Sequence, residues 1–241
     1  MTTTKAKPPT ESRDPLTRDK VLLAAVETAD QGGVASLTMR NLATVLGVEA
    51  MSLYYHVANK EAVLDGIVEQ VLAELNEATA AEMPSSFDWK IAVRERILTA
   101  RQVLLRHPWA PAVIETRTRM SPPILAYYEE LLGLMRRGGF SYDLAHHAIH
   151  ALGSRALGFT QELFEPDDVE AGEEVAGEML EQMATELPNL MEMMMEIGHD
   201  DPGSTLGWCD DQTEFEFGLD LILDGLDRLR EKPEALRAPR A

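Results

Sequence analysis

Two short helical patterns meet at Gly47, and this junction constrains the fold more tightly than any other stretch of the chain. Thr38 is a suitable N-cap for the first pattern, residues 38–46, and the second pattern covers residues 49–57. Glycine enters left-handed backbone conformations at little cost, so Gly47 permits a tight turn between them. Ala43 is small enough to let the two helices cross closely. The sequence therefore predicts a helix-turn-helix.

The second helix of this pair carries small, aromatic and imidazole side chains where a free-standing helix would expose charge. We expect the two helices to share a core formed by Leu42, Leu46, Val48 and Leu53. The positions on or near the outward side are then Ala50, Met51, Ser52, Tyr54, Tyr55 and His56. Small side chains permit close approach to the major groove, while methyl, hydroxyl and imidazole groups contact bases or phosphates. This face favours double-stranded DNA as a partner; the alternative is a helical hairpin inside a bundle.

The charge distribution agrees with a DNA-reading segment. The net charge of -19 would repel nucleic acid, but residues 1–62 hold seven Lys and Arg against seven Asp and Glu. The remaining residues hold 15 basic against 34 acidic side chains, which accounts for the whole excess. A neutral N-terminal quarter attached to an acidic remainder is expected of a reading head on a body that does not touch DNA.

Helical periodicity extends through the rest of the chain, and no segment alternates with period two, so we predict an all-α fold. The expected domains are a disordered tail (1–15), a three-helix DNA-binding domain (16–60), an effector-binding and dimerisation domain (61–232) and a flexible tail (233–241). Segment 165–207 is expected to hold one or two helices and a mobile loop. The predicted helices cover residues 18–31, 38–46, 49–57, 60–76, 87–106, 122–137, 141–164 and 214–231.

Several classes of protein are disfavoured. No run of 18 apolar residues exists, and the start of the chain is polar and rich in proline, which argues against a membrane span or secretory signal. Cys209 is the single cysteine, so no intrachain disulfide can form, and we expect a cytoplasmic protein. The sequence has no glycine-rich phosphate loop, serine elbow or zinc-finger spacing, so we do not expect an enzyme.

Three segments resemble the tetracycline-repressor (TetR) family. LTMRNLATVLGVEAMSLYYHVANKEAVLDGI, at 37–67, is similar to the family's DNA-binding region. FEFGLDLILDGLDRL, at 215–229, and MRRGGFS, at 135–141, are similar to the last helix and a turn of the tetracycline repressors. The resemblance implies a homodimeric repressor that binds a palindromic operator and is released by a small molecule. An all-α ligand-binding or protein-interaction module that does not bind DNA is the alternative.

The resemblance also implies roles for individual residues of the head. Four fall where the family reads bases: Arg40, Ala50, Met51 and Ser52. Four fall where it contacts phosphates or braces the recognition helix: Tyr54, Tyr55, His56 and Lys60. Together with Thr38 these residues form the predicted DNA-binding set.

The effector site departs from the tetracycline-repressor pattern. Asn76 stands where a drug-binding histidine is found, Glu115 where a metal-ligating histidine is found, and Ser154 where a pocket histidine is found, whereas Thr118 and Glu162 match. We therefore expect neither tetracycline nor an obligatory metal or other cofactor, but a largely apolar effector. Further pocket candidates are Trp109, Met120, Tyr127 and Phe159, and the Met-rich segment 191–198 suits core or pocket lining.

Two helices have features of a dimer interface. The last predicted helix carries more apolar surface than one core can bury, and residues 141–164 are rich in small side chains that allow close packing. The predicted interface comprises Ala148, Ala151, Gly158, Phe215, Leu219, Ile222 and Leu226; the alternative is that both helices are internal to a monomer. His146 and His150, four apart, have a spacing that can hold a metal, but without a third ligand we prefer surface or interface histidines.

Overall fold

A computed structural model describes residues 15–80, 87–117, 121–158, 185–189, 192 and 211–232, with the side chains of 154–158 and 211 excepted. The described residues form nine helices and no strand, which confirms the predicted all-α class over those ranges. None of these helices is both long enough and apolar enough to cross a membrane. The helices are α1 (Arg18–Ser36), α2 (Met39–Leu46), α3 (Ala50–Leu53), α4 (Lys60–Ala78), α5 (Trp89–Arg106), α6 (Ala110–Glu115), α7 (Pro122–Arg137), α8 (Tyr142–Gly158) and α9 (Asp211–Glu231).

The chain divides into two compact units at positions that differ from the predicted boundary after residue 60. The head unit comprises the described residues of Met1–Val71 and His107–Thr118, and the body unit those of Leu72–Arg106 and Arg119–Ala241. The stretch around α6 falls in the head unit because it bonds to α1 through Asp30 and to α4 through Glu61 and Asp65. Helix α4 contributes its first part to the head unit and its last part to the body unit.

The head unit packs α1 closely against α4. Leu22 of α1 and Ile67 of α4 are completely buried. A Cβ atom added at Gly66 would lie 2.4 Å from Leu22 Cδ2, so only glycine permits this contact. Helix α1 is kinked at Gly32-Gly33, where Gly33 has φ 66°, and it resumes as far as Ser36. The sequence predicted that this helix ends at residue 31. The glycine pair instead kinks the helix, which then continues for a short distance.

The body unit packs α5, α7, α8 and α9 around a shared apolar core. Phe140 and Phe215 are fully buried in it, and the ring centroids of Trp89 and Phe140 lie 4.5 Å apart. A Cβ atom at Gly138 would lie 2.5 Å from the Trp89 side chain, so the end of α7 approaches the start of α5 very closely.

A ladder of polar contacts fixes α5 antiparallel to α9. Lys90 pairs with Asp224. One helical turn later, Arg94 donates to Asp220 at 2.7 Å and to Glu216 at 2.6 Å. The partners on α9 move toward its start as α5 advances, which defines the register of the two helices.

Two local elements differ from their predictions. The recognition helix α3 contains only four residues and is followed by a turn, whereas residues 49–57 were expected to be helical. Helix α6 forms between the predicted helices 87–106 and 122–137, where no helix was expected. Pro111 lies in the first turn of α6, where its missing N–H costs no intrahelical hydrogen bond.

Candidate functional site

The helix-turn-helix is built by local hydrogen bonds at the positions that the sequence indicates. Thr38 caps α2 by accepting a hydrogen bond from Asn41 N at 3.1 Å. Gly47 ends α2 in the left-handed conformation, with φ 64° and ψ 36°. The Val48 N–H then donates to Ala43 O at 3.0 Å, closing a Schellman turn that leads directly into α3. These bonds set the direction of α3.

Helix α3 and the turn that follows it expose most of the residues that were expected to face outward. Leu53 is fully buried and anchors the helix. Met51 is 71% exposed, Tyr54 46% and Tyr55 88%, although all three are large side chains. Ala50, Ser52 and His56 are partly exposed. The head unit thus presents an uncovered aromatic and apolar surface on its recognition element.

The two cations predicted to contact DNA are exposed. Arg40 and Lys60 form no ion pair with any residue that the structure describes. Asn59 caps α4 through a 2.8 Å bond from Ala62 N, which holds Lys60 at the start of that helix. Both cations are therefore available to phosphate oxygens.

Arg117 is a contributor to this surface that the sequence did not reveal. Its Nη1 atom donates to Glu61 at 2.9 Å and to Asp65 at 3.1 Å. These hydrogen bonds, that to Glu61 first, raise the pKa of Arg117 and keep it charged. The guanidinium thereby offsets one of the two negative charges that Glu61 and Asp65 place on the first two turns of α4, beside Lys60. No local signal could identify this pairing, because 52 or more residues separate the partners.

The proposed effector residues divide between the two units. Trp109 lies in the head unit, where it is 8% exposed and donates its indole N–H to Asp30 at 2.6 Å. The indole nitrogen of Trp109 therefore bonds to α1, whereas the sequence predicted Trp109 as a pocket residue. Glu115, also in the head unit, is exposed at the end of α6.

Asn76 and Tyr127 lie together with other polar groups in the body unit. Asn76 Nδ2 donates to the carbonyl oxygen of Pro123 at 2.8 Å. The guanidinium of Arg96 stacks over the Tyr127 ring, with the Cζ atom 4.8 Å from the ring centroid. Burial raises the pKa of Tyr127 to about 12, so the phenol is protonated at neutral pH. The remaining candidates lie outside the described residues or side chains: Thr118, Met120, Ser154, Phe159, Glu162 and the methionines of segment 191–198.

The expectation that no obligatory metal is bound stays a prediction. Glu115, which the resemblance places at the position of an imidazole ligand, is exposed. Across the described parts of the chain, no three His, Cys, Asp or Glu side chains converge on a possible metal position. His146 and His150 are exposed on α8, with ring centroids 4.7 Å apart. His147 lies beside His146 on the same helix.

The predicted dimer interface requires correction because its main stripe faces inward. Ala148, Phe215 and Leu219 are fully buried in the core of the body unit, Leu226 is 6% exposed, and Ile222 packs against the same core. A residue buried within one chain has no surface to offer to a second. The exposed apolar residues of α9 are instead Phe217 and Leu221, at 62% and 58%. Ala151 is exposed on α8, whereas the description of Gly158 is limited to its backbone.

Two family models match the chain. The model of the bacterial regulatory proteins of the tetR family matches residues 21–67, and that of the tetracyclin repressor-like C-terminal domain matches residues 83–230. The second match alone covers more than half of the 241 residues. The chain belongs to the TetR family. It is therefore a transcriptional regulator with an N-terminal helix-turn-helix domain and a C-terminal domain, and its TetR-family relatives are not enzymes.

Three known proteins show the extent of the similarity. The class C tetracycline repressor protein of Escherichia coli is 30% identical over 217 residues, which cover 89% of this chain and 92% of that protein. An HTH-type transcriptional regulator of Saccharopolyspora erythraea is 38% identical over 125 residues; the match spans 52% of this chain and about half, 51%, of the regulator. The solved structure of the TetR family protein ActR of Streptomyces coelicolor in complex with actinorhodin is 27% identical, with a TM-score of 0.66 over 88% of this chain and 95% of ActR.

Proposed function

We propose that this TetR-family regulator is a homodimeric repressor that binds a palindromic operator and is released from it by a small-molecule effector. The observation that carries the proposal is the exposed surface of α3, flanked by two cations without ion-pair partners among the described residues. Each head would place one α3 in a major groove, with Arg40 and Ser52 reading bases and Ala50 and Met51 contacting thymine methyl groups.

Phosphate contacts supply the affinity that does not depend on sequence. Lys60 and the hydroxyl groups of Tyr54 and Tyr55 are exposed, and none of them has a hydrogen-bond partner among the described residues. Their free donors suit phosphate oxygens on either side of the groove. Removing these groups should weaken binding to every sequence, whereas changes at Arg40 or Ser52 should alter the preference among sequences.

Dimerisation is supported by the apolar surface that α9 leaves in water. Phe217 and Leu221 are four residues apart and so lie on one helical face, opposite to the face that Phe215 and Leu219 bury. A second copy of the chain would cover this face in a symmetric contact. Two heads then read successive major grooves if their recognition helices lie about 34 to 36 Å apart.

Small-molecule control is supported by the relatives. ActR is solved in complex with actinorhodin, and the class C relative is named as a tetracycline repressor. Asn76, Glu115 and Ser154 replace the histidines implied for the tetracycline site, so the effector proposed here is not tetracycline. Release requires that the effector bind more tightly to the conformation that does not fit the operator.

Electrophoretic mobility shift on the DNA upstream of the protein's own gene tests the proposal. We expect a retarded complex with two chains per palindromic site, which weakens steeply as salt rises. Lys60→Ala should reduce the salt slope by about two, because each of the two chains loses one phosphate contact. Arg228→Ala is the matched control, because Arg228 is an exposed cation on α9 of the body unit. Equal losses in the two variants, or no complex at micromolar protein, would refute the proposed role of the head.

A further inference from the structure

The guanidinium of Arg96 is buried in the body unit without a counter-ion among the described residues. Arg96 lies in the middle of α5 and is 8% exposed. Its Nη1 atom donates to Thr79 O across a long 3.4 Å bond, and its buried Nε atom has no partner. Glu130 contributes only a distant electrostatic attraction. The site thus holds a positive charge that the described chain does not balance.

Two other arginines of α5, Arg94 and Arg101, have partners that compensate their charge. Arg94, two residues earlier, bonds to the carboxylates of both Glu216 and Asp220. Arg101 donates to Gln212 and stacks over Phe215. At Arg96, by contrast, burial lowers the pKa, as expected for a charge that leaves water without compensation. An apolar side chain would fill such a position at lower cost, so a role in binding explains the arginine better than a role in packing.

A second donor lies beside Arg96. The Tyr127 hydroxyl has no hydrogen-bond partner within the described ranges, and the Arg96 guanidinium stacks on the Tyr127 ring, with its Cζ atom 4.8 Å from the ring centroid. Asn76 donates to the carbonyl oxygen of Pro123, and Thr79, directly after the end of α4, accepts from Arg96 through its own carbonyl oxygen. The end of α4, the middle of α5 and the start of α7 therefore meet at a positively charged position that has one uncommitted phenol donor.

We propose that the effector is an organic acid whose carboxylate pairs with Arg96 and accepts a hydrogen bond from Tyr127. This inference rests on the proposed function, since it names the chemical class of the small molecule that controls the regulator. One guanidinium and one phenol suit a monoanion, because a phosphate dianion would need more donors. The rest of the molecule is apolar, since the lost hydration of the carboxylate must be offset by apolar surface that leaves water.

Thermal shift with matched pairs of aromatic acids and their amides tests this proposal on the full-length protein. The first pair is 2-naphthoate and 2-naphthamide, followed by the same comparison across a panel of one-ring to three-ring acids. We expect stabilisation by members of the acid series and none by the corresponding amides, because only the carboxylate balances Arg96. A wild-type protein that no acid stabilises in preference to its amide, up to 10 mM, would overturn the proposal.

Variants separate binding from packing. Arg96→Met should abolish the response to acids yet leave the Tm of the free protein unchanged or higher, because it removes an unpaired buried charge. A purely structural arginine would instead lower the Tm of the free protein. Tyr127→Phe keeps the ring and should weaken acid binding about tenfold. Arg94→Met is the control: it should lower the Tm and retain the response to acids, and retention of that response in Arg96→Met would contradict the assignment.

The mobility shift described above distinguishes failure of this inference from failure of the proposed function. A protein that binds its operator but shows no acid-selective stabilisation retains the repressor role and loses the inferred effector class. A protein that binds acids through Arg96 but never shifts DNA retains the site and loses the repressor role. When both hold, addition of the stabilising acid should dissociate the operator complex of the wild type and not that of Arg96→Met.

Discussion

The Asp30 carboxylate accepts a hydrogen bond from the indole nitrogen of Trp109 at 2.6 Å, which joins the end of α1 to the start of α6 across 79 residues of sequence. His107 Nδ1 lies 2.8 Å from the same carboxylate oxygen. Both aromatic side chains are buried, and the Asp30 carboxylate lies within hydrogen-bond distance of a ring nitrogen of each. Asp30 thereby attaches the α6 segment to the head unit.

Replacing Asp30 with alanine should destabilise the head unit by about 1 to 3 kcal/mol, because it leaves the buried indole N–H of Trp109 without its acceptor. The midpoint of urea unfolding measures the effect. Glu27→Ala, on an exposed position of the same helix, should change stability by less than about 0.5 kcal/mol. Similar losses in both variants would show that the acceptor at Asp30 is unimportant.

Gly47→Ala should destabilise the protein by about 1 to 2 kcal/mol, since alanine must adopt the left-handed conformation that glycine adopts freely. The same variant should lose operator affinity, because the turn aims α3. Gly133→Ala is the matched control. Gly133 lies within α7 with no atom near its missing Cβ, so alanine should stabilise by about 0.5 to 1 kcal/mol. Thermal unfolding should therefore move in opposite directions in the two variants.

Arg117→Gln should weaken operator binding even though Arg117 is not assigned a contact with DNA. The change removes one positive charge beside Glu61, Asp65 and Lys60, and one additional negative charge about 10 Å from a phosphate costs roughly 0.4 kcal/mol in water. Over the two heads of a dimer we expect about a fourfold loss at low salt, measured by fluorescence anisotropy. Adding Glu61→Gln restores the net charge and should recover most of the loss, and failure to do so would exclude this electrostatic explanation.

Phe217→Glu combined with Leu221→Glu should yield a monomer, because two charges would replace the exposed apolar face of α9. Light scattering on the eluted protein should report the mass of one chain instead of two. Ile91→Glu is the control, since Ile91 is 58% exposed on α5 and is assigned no role in the interface. A double variant that stays dimeric would place the interface elsewhere.

The ladder between α5 and α9 predicts a loss of stability in acid. The hydrogen bond from Lys90 lowers the pKa of Asp224 from its usual 3.8, and hydrogen bonds from Gln212 and Arg94 lower that of Glu216 from its usual 4.5. Because these pKa values are lower in the folded state than in the unfolded state, the contacts stabilise the fold fully at a pH above the unfolded-state values. This stabilisation is lost as the pH falls to the folded-state pKa values. The Tm should therefore decline between about pH 5 and about pH 3, and less steeply in Glu216→Gln/Asp224→Asn.

Local signals in the sequence were sufficient to predict most of the structure of the head unit. Thr38, Gly47 and Asn59 act through bonds to residues within a few positions, so their roles could be read from the chain alone. Arg117 and Trp109 could not, because their partners lie 52 to 79 residues away. The stripe through Phe215 and Leu219 was identified correctly as apolar, but periodicity does not tell whether a chain's own core or a second copy covers it.

The ladder between α5 and α9 also orders events during translation. Its contacts join residues 111 to 134 positions apart, whereas the head unit is complete at residue 118. At about 5 to 20 residues per second, roughly 5 to 20 s pass between the synthesis of the complete head unit and the synthesis of α9, which completes the ladder. The head unit can therefore fold before the final helix is made, and the proposed pairing surface at Phe217 and Leu221 forms only when that helix has been synthesised.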